Sequence, residues 1–230
     1  MTIETIPLFP LGTVLFPGMV LPLRIFEARY LSLLERLLSV PEGTTAEFGV
    51  VAIRQGWEVG ADGAQALYPI GCTAVLHQAS ELTDGTYEVV AIGTDRFRVG
   101  TLDQAGQPYL QAQIERLTDD VGPADEAKLL ARSVQALYGD YVAALAGTEQ
   151  AGELVTVLAD LPDDPLLLAA LVAATSPLEL GDQQALLAAP DGVSRLRAEL
   201  RLLKREVTML RRLRAVPVAL AELQVPMGLN

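Results

Sequence analysis

The chain has 230 residues, half of them hydrophobic, with 17 basic and 29 acidic side chains and a formal charge of −12. That size suits one large domain or two small ones with a sizeable core, and the acidic balance argues against nucleic acid and anionic membrane surfaces, both of which call for a basic face. A single Cys (Cys72) and a single His (His77) exclude an intrachain disulfide and any Cys/His zinc site with three or four such ligands.

In chain order, Ile6–Pro10 reads as extended, because each proline holds the residue before it in β or polyproline space. The 19 uncharged residues Thr5 to Leu23 contain Pro7, Pro10, Pro17 and Pro22 with Gly12 and Gly18, which breaks a spanning helix. No basic residue precedes Arg24, so a signal peptide is not expected. The chain reads as a soluble, cytoplasmic bacterial protein with no membrane partner. Met19–Ile25 is a second strand with Pro22 marking an edge or bulge. Phe26–Leu38 has a helical apolar period through Ala28, Leu31, Leu34 and Leu38. Phe48–Ile53 reads as a buried strand. Tyr68–Glu81 and Thr86–Gly93 flank Asp84-Gly85, a two-residue hairpin signal. Phe97–Val99 and Tyr109–Leu117 complete the strands. Many short strands with one inserted helix point to a small closed or nearly closed sheet.

The texture changes near Val121-Gly122-Pro123. Glu126–Leu145 reads as a helix with Leu130, Val134, Leu137, Tyr141 and Leu145 on one face, and Gly139 inside it predicts a kink or close packing. Glu153–Leu161 stops at Pro162, and Asp164-Pro165 caps and opens the next helix. Asp182–Ala188 is a short helix ended by Pro190. From Val193, Leu196, Leu200, Leu203, Val207 and Leu210 recur at heptad spacing. Two and a half repeats fall short of a confident coiled coil, so packing within the chain's own helices is the expectation. Residues 195–230 carry a net charge of +5, against −8 for residues 1–122 and −9 for 123–194.

The chemistry search ends mostly in exclusion. Neither Lys128 nor Lys204 follows a glycine, so no P-loop is present. His77 lies mid-strand beside no nucleophile-elbow motif, and five residues along a strand place Cys72 and His77 on opposite faces. A Ser-Lys dyad needs a buried lysine, and both lysines fall on predicted surface helices. Asp119-Asp120 and Asp163-Asp164 read as solvated turns or helix caps, with a weak cation site as the alternative. No metal or cofactor is expected.

Residues Ile6 to Tyr30, Ile-Pro-Leu-Phe-Pro-Leu-Gly-Thr-Val-Leu-Phe-Pro-Gly-Met-Val-Leu-Pro-Leu-Arg-Ile-Phe-Glu-Ala-Arg-Tyr, strongly resemble the opening motif of the Lon protease N-terminal (substrate-binding) domain, especially its stand-alone bacterial form. Tyr68-Pro-Ile-Gly-Cys-Thr-Ala-Val75, the Asp84-Gly85 hairpin and Ile92-Gly-Thr-Asp-Arg-Phe-Arg-Val99 fall where that family has matching strands. Ser176 to Leu187 and the Arg-rich last helix resemble its helical half. The resemblance implies an α+β chain: a PUA-like β-barrel with one inserted helix over residues 1–122, then a C-terminal α-helical bundle with a long helix and tail over 123–230. It also implies recognition of unfolded or damaged polypeptides and self-association into a homo-oligomer. A separate protease or chaperone as recipient of the client is left open. The sequence stops at Asn230, before the place where ATPase and protease domains would follow, so ATP-dependent proteolysis by this chain is not expected.

A non-catalytic binder of unfolded segments needs an apolar groove, helped by an open strand edge. Phe9, Phe16, Pro17, Met19 and Leu21 are the candidates, with plain core packing as the competing reading. Burying about 400 Å² of apolar surface yields about 10 kcal/mol gross, and association costs of roughly 4–15 kcal/mol leave weak binding. Arg24, Glu27, Arg29 and Arg96 form a polar constellation. Arg24 and Glu27, three apart, are expected to face each other, with Arg96 reaching Glu27 from the hairpin. They read either as a polar rim for a bound peptide or as a clamp fixing helix to sheet. Two rival functions remain: a small hydrolase with an unrecognised site, and an RNA-binding PUA-like module using the Arg195–Arg214 helix.

Overall fold

A computed structural model describes residues 3–41, 43–56, 64–103, 106–145 and 149–214. The first part is a seven-stranded mixed sheet: β1 (Ile3–Leu11), β2 (Val20–Ile25), β3 (Glu47–Gly56), β4 (Ala64–Leu67), β5 (Ile70–Glu81), β6 (Tyr87–Asp103) and β7 (Gln111–Arg116), with α1 (Ala28–Leu38) after β2. Five helices follow: α2 (Ala124–Ala144), α3 (Glu149–Ala159), α4 (Pro165–Thr175), α5 (Leu180–Leu187) and α6 (Gly192–Arg214). The C-terminal tail 215–230 lies outside the described residues.

The strand pairings run in a ring. β1 pairs with β7, β7 with β6, β6 with β5 and β5 with β3, all antiparallel. β3 returns to β1 in parallel, Leu8–Leu11 lying against Gly49–Ala52. β4 adds to β3, and β2 adds to the Tyr87–Ile92 half of β6. The sequence reads Thr86–Gly93 and Phe97–Val99 as separate strands, whereas β6 is one strand of 17 residues. It turns through register shifts against β5 and β7, which leave too little alternation to be read continuously. Gly93 sits where this strand meets the turn before β2: a Cβ there would lie 2.4 Å from the Phe16 carbonyl oxygen. The turn itself needs the positive φ of Gly18, +79°, and its N–H donates to the Gly93 carbonyl at 2.9 Å.

One core gathers Leu33, Leu34 and Leu37 of α1 with Phe9, Leu21, Ile25, Phe48, Val50, Cys72 and Val89. A second, of Ile6, Leu8, Val51, Phe97, Ala112 and Ile114, belongs to the ring alone. The helical half has its own core, in which Leu196, Leu203 and Val207 of α6 are buried against Val134, Tyr138 and Leu168, with Leu200 and Leu210 packed beside them. The heptad-spaced positions therefore pack inside the chain. α2 runs through Gly139 without interruption. A Cβ there would meet Leu158 Cδ1 at 3.9 Å, an ordinary contact. Asp164 caps α4, accepting from the Leu166 and Leu167 N–H groups at 2.9 Å, with Pro165 opening the helix.

A fourth cluster joins sheet to helices. Val14, Phe16, Ala52 and Ile70 pack on Ala170, Ala173, Leu186 and Leu187. Across the same junction Gln184 donates to the Ile70 carbonyl at 2.8 Å. Two buried guanidiniums hold the end of α5. Arg96 Nη1 donates to the Leu187 and Ala189 carbonyls at 2.7 and 2.6 Å, and Arg195 Nε donates to the Leu186 carbonyl at 3.0 Å. Carbonyls at a helix C-terminus have no partner within the helix and attract cations, so these contacts satisfy the end of α5.

Candidate functional site

The five apolar candidates do not form one exposed surface. Phe16 and Leu21 are buried, Phe16 completely, in the sheet–helix junction and the α1 core respectively. Met19 is half-buried and packs against both of those clusters, and Pro17 is half-buried. The sequence could not separate these from surface residues, because a proline-punctuated run has no periodicity to show which side faces in. Phe9 alone reaches a cleft.

That cleft, about 200 Å³, lies between the C-terminal end of β1, β2 and the start of α1. Phe9, Pro10, Leu11 and Tyr30 are its buried lining, Pro22 and Leu23 line it further, and Phe26 stands half-exposed at its side. Phe9 and Tyr30 stack with ring centroids 3.9 Å apart, and the Arg29 guanidinium lies 4.5 Å from the Tyr30 centroid. Arg24 and Glu27 complete the lining. The polar constellation is thus partly assembled here, with different pairings from those expected. Arg24 pairs with Asp84 across the hairpin at 2.9 Å, and Glu27 pairs with Arg29 at 3.1 Å. Arg96 does not reach Glu27. Its Nε donates to Asp119 at 2.5 Å, and the rest of its head is spent on α5. The reason is chain geometry: Arg96 stands on the far part of β6, beside Phe97 in the ring, while Glu27 lies beyond the Tyr87 end that pairs with β2.

β2 gives this end an unpaired backbone edge. Gly93 N–H donates to the Met19 carbonyl at 2.9 Å, which sets the alternation of the β2–β6 ladder. Leu21, Leu23 and Ile25 bond towards β6, and Val20, Pro22 and Arg24 face away from it. Pro22 occupies an outward position, as a residue with no N–H must. Outward groups at Val20 and Arg24 find no hydrogen-bond partner among the described residues.

A second cleft, about 220 Å³, opens between α1 and the β5–β6 hairpin, lined by Leu31, Leu34, Glu35, Leu38, Glu81, Gly85 and Tyr87. Leu38 is half-exposed. The Tyr87 phenol is pushed up by desolvation and then by Glu81, to which it donates, and by Glu35. A third, wider hollow of about 610 Å³ lies on the segment joining the two halves, with Asp119, Asp120, Lys128 and Asp164 in its lining. Its acids are engaged: Asp119 with Arg96, Asp120 with the Gly122 N–H, and Asp164 with the α4 N-terminus.

Nothing at these clefts resembles a nucleophile with its base. Cys72 is fully buried and burial pushes its thiol well up, so it stays protonated. His77 is exposed on β5. Among the described residues no group of three metal-ligating side chains forms, and no described helix is long and apolar enough to cross a membrane. Two buried residues escaped the sequence reading. Arg195 and Glu199 are both 1% exposed on α6, and neither Glu199 carboxylate oxygen has a hydrogen-bond partner among the described residues. Burial pushes the Glu199 carboxyl well above its ordinary range, more than Arg195 offsets. Several other cations on α6 are paired: Arg197 with Glu126, Arg205 with Asp182 and Glu206, and Arg211 with Asp140.

Comparison with known proteins places this geometry. A family model described as the ATP-dependent protease La (LON) substrate-binding domain matches residues 5–205. The chain belongs to this family. The Lon substrate-binding domain is also what aligns with full-length relatives. Lon protease 2 of Herpetosiphon aurantiacus is 32% identical over 208 residues, covering 89% of this chain and 24% of that protein. Escherichia coli K12 Lon protease is 28% identical over 206 residues, 89% of this chain and 25% of that protein. The chain therefore spans about a quarter of the length of these relatives, and the match is to the substrate-binding domain. Among solved structures, a Lon N-terminal domain protein from Xanthomonas campestris superposes with a TM-score of 0.60 at 25% identity, covering 87% of this chain and 98% of that one. The N-terminal domain of Mycobacterium avium complex Lon protease shares the fold with a TM-score of 0.65 at 18% identity, over 89% and 98% of the two chains.

Proposed function

We propose that this chain is a non-catalytic recognition module that holds exposed apolar segments of unfolded or damaged polypeptides, weakly and with little demand on their sequence. The observation that carries the reading is the unpaired edge of β2 beside the Phe9 cleft. An extended segment gains main-chain hydrogen bonds from Val20 and Arg24 and places alternate side chains against Phe26, Pro22 and Phe9. Pro22 withholds one donor, which keeps such pairing short and reversible. Membership of the Lon substrate-binding family supports the same role. In this reading the ring of strands is a PUA-like β-barrel over residues 1–122, with residues 123–230 as the helical bundle and tail. The working compartment is the cytoplasm, with a separate protease or chaperone receiving the client. The ion pairing of Arg197, Arg205 and Arg211 on α6 and the acidic balance of the chain weigh against RNA, and the protonated, buried Cys72 weighs against a hydrolase.

Titration of a carboxymethylated, permanently unfolded polypeptide tests the proposal. Saturable binding between micromolar and millimolar is expected, weakened roughly tenfold in Phe26→Ser, a loss of about 1.4 kcal/mol for one half-exposed aromatic. Met209→Ser, which removes an equally exposed side chain on α6, should bind as the wild type does. Equal loss in both variants, or no saturable binding, overturns the reading.

A further inference from the structure

We infer that the polypeptide segment this end of the molecule selects is cationic as well as apolar, with a Lys or Arg seated in the cleft between α1 and the β5–β6 hairpin. The inference rests on the polypeptide-binding reading and names the class of segment.

The argument begins with charge. On the α1–β2 end, Arg24 is paired with Asp84 and Arg29 with Glu27, and Arg36 Nη1 donates to the Tyr109 hydroxyl at 3.1 Å. Glu35, Glu81 and Glu88 have no ion-pair partner among the described residues. Three guanidiniums, of Arg24, Arg29 and Arg36, thus stand against the five carboxylates of Glu27, Glu35, Glu81, Asp84 and Glu88, so this end presents negative charge to an arriving chain. Residues 1–122 carry a net −8, in the same sense.

Shape then places the cation. The second cleft has walls of Leu31, Leu34 and Leu38 with Glu35, Glu81 and the Tyr87 ring at its opening. A lysine or arginine matches that order: the aliphatic stem lies on leucine and the charged head reaches carboxylate and the aromatic face. An uncharged apolar side chain would fill the walls and leave both carboxylates desolvated without compensation, and an acidic one would add repulsion. The two clefts are neighbours. Arg24 lines the first, and its partner Asp84 directly precedes Gly85, which lines the second. One extended segment can therefore place an apolar residue in the first cleft and its basic residue in the second.

Three peptides of identical apolar sequence, differing only by Lys, Gln or Glu at one position, test this by fluorescence anisotropy. Affinity is expected in the order Lys, Gln, Glu, with Lys over Gln by roughly three- to tenfold at low salt. The advantage should shrink towards unity at about 1 M salt. Glu35→Gln combined with Glu81→Gln should bring the Lys and Gln peptides to equal affinity. The same charge change in the helical half, Glu153→Gln with Asp160→Asn, should preserve the order. Equal binding of all three peptides overturns this inference and leaves the polypeptide reading standing. Discrimination that survives in the Glu35/Glu81 variant overturns the placement at this cleft. No binding of any peptide overturns the polypeptide reading and the inference with it.

Discussion

The sheet–helix junction and the β2–α1 end use the same residue types for opposite ends. At the junction, buried Arg96 donates to Asp119 and to the Leu187 and Ala189 carbonyls, and buried Arg195 donates through Nε to the Leu186 carbonyl. At the β2–α1 end, Arg24 and Asp84 are more than half exposed, and the strand beside them leaves backbone groups unpaired. Buried polar groups whose partners are supplied by the fold tie two halves together. Exposed ones with backbone to spare leave room for a partner from outside. An arginine's role here is set by what surrounds it and not by its place in the motif.

The comparison can be broken first at the junction. Arg96→Ala leaves the Leu187 and Ala189 carbonyls and Asp119 without their donor in a buried site. A loss of about 3–5 kcal/mol in urea unfolding is expected. A loss under about 1 kcal/mol would make the junction no more demanding than the surface.

Glu199 supplies a smaller effect with a sign. Its carboxyl is raised above the ordinary 4.5, so the folded state holds the proton more tightly than the unfolded chain. That contribution to stability is fully present below about pH 4.5 and is lost as the pH rises towards and through the folded-state value. Glu199→Gln cannot ionise, so its urea midpoint should fall less between pH 4.5 and 8 than that of the wild type. At neutral pH the variant should be more stable by about 1–3 kcal/mol. Parallel pH profiles for the two proteins would contradict this.

Gly139→Ala probes the helical half alone. The position is helical and a Cβ meets only an ordinary contact, so a gain of about 1 kcal/mol is expected in the same unfolding assay. Smallest of all is Arg24→Ala. Its partner is exposed and the ion pair is solvated, so the thermal midpoint should not move measurably. A large shift would mean that the β2–α1 end is held like the junction.

Much of the fold was legible because local chemistry wrote it. Prolines fixed the early extended segments, Asp84-Gly85 marked the hairpin, and Asp164-Pro165 marked the start of α4. The spacing of Leu196, Leu203 and Val207 gave the buried stripe of α6. β4, Ala64–Leu67, lies outside every strand expected from the sequence, which opened its next strand at Tyr68, whereas β5 begins at Ile70 just after Pro69. Arg195 and Glu199 carry the spacing of a solvent-exposed helix pair, yet α6 is buried on a second side, where Ala198 and Leu202 pack at the sheet junction. A single-faced amphipathic reading has no place for that. Of the candidate site, Phe9, Arg24, Glu27 and Arg29 meet at one end of the molecule, while Arg96 is committed to partners about 90 residues further along the chain, Leu187 and Ala189. Contacts at such separation leave no periodic trace in sequence.

The measurement closest to the central claim is amide hydrogen exchange with and without a saturating extended apolar peptide. If the β2 edge receives the peptide, the Val20 and Arg24 amides, unpaired in the free protein, should become protected together with the start of α1, while α2 through α6 exchange unchanged. Protection confined to the helices, or binding that leaves Val20 and Arg24 exchanging as freely as before, would contradict the account.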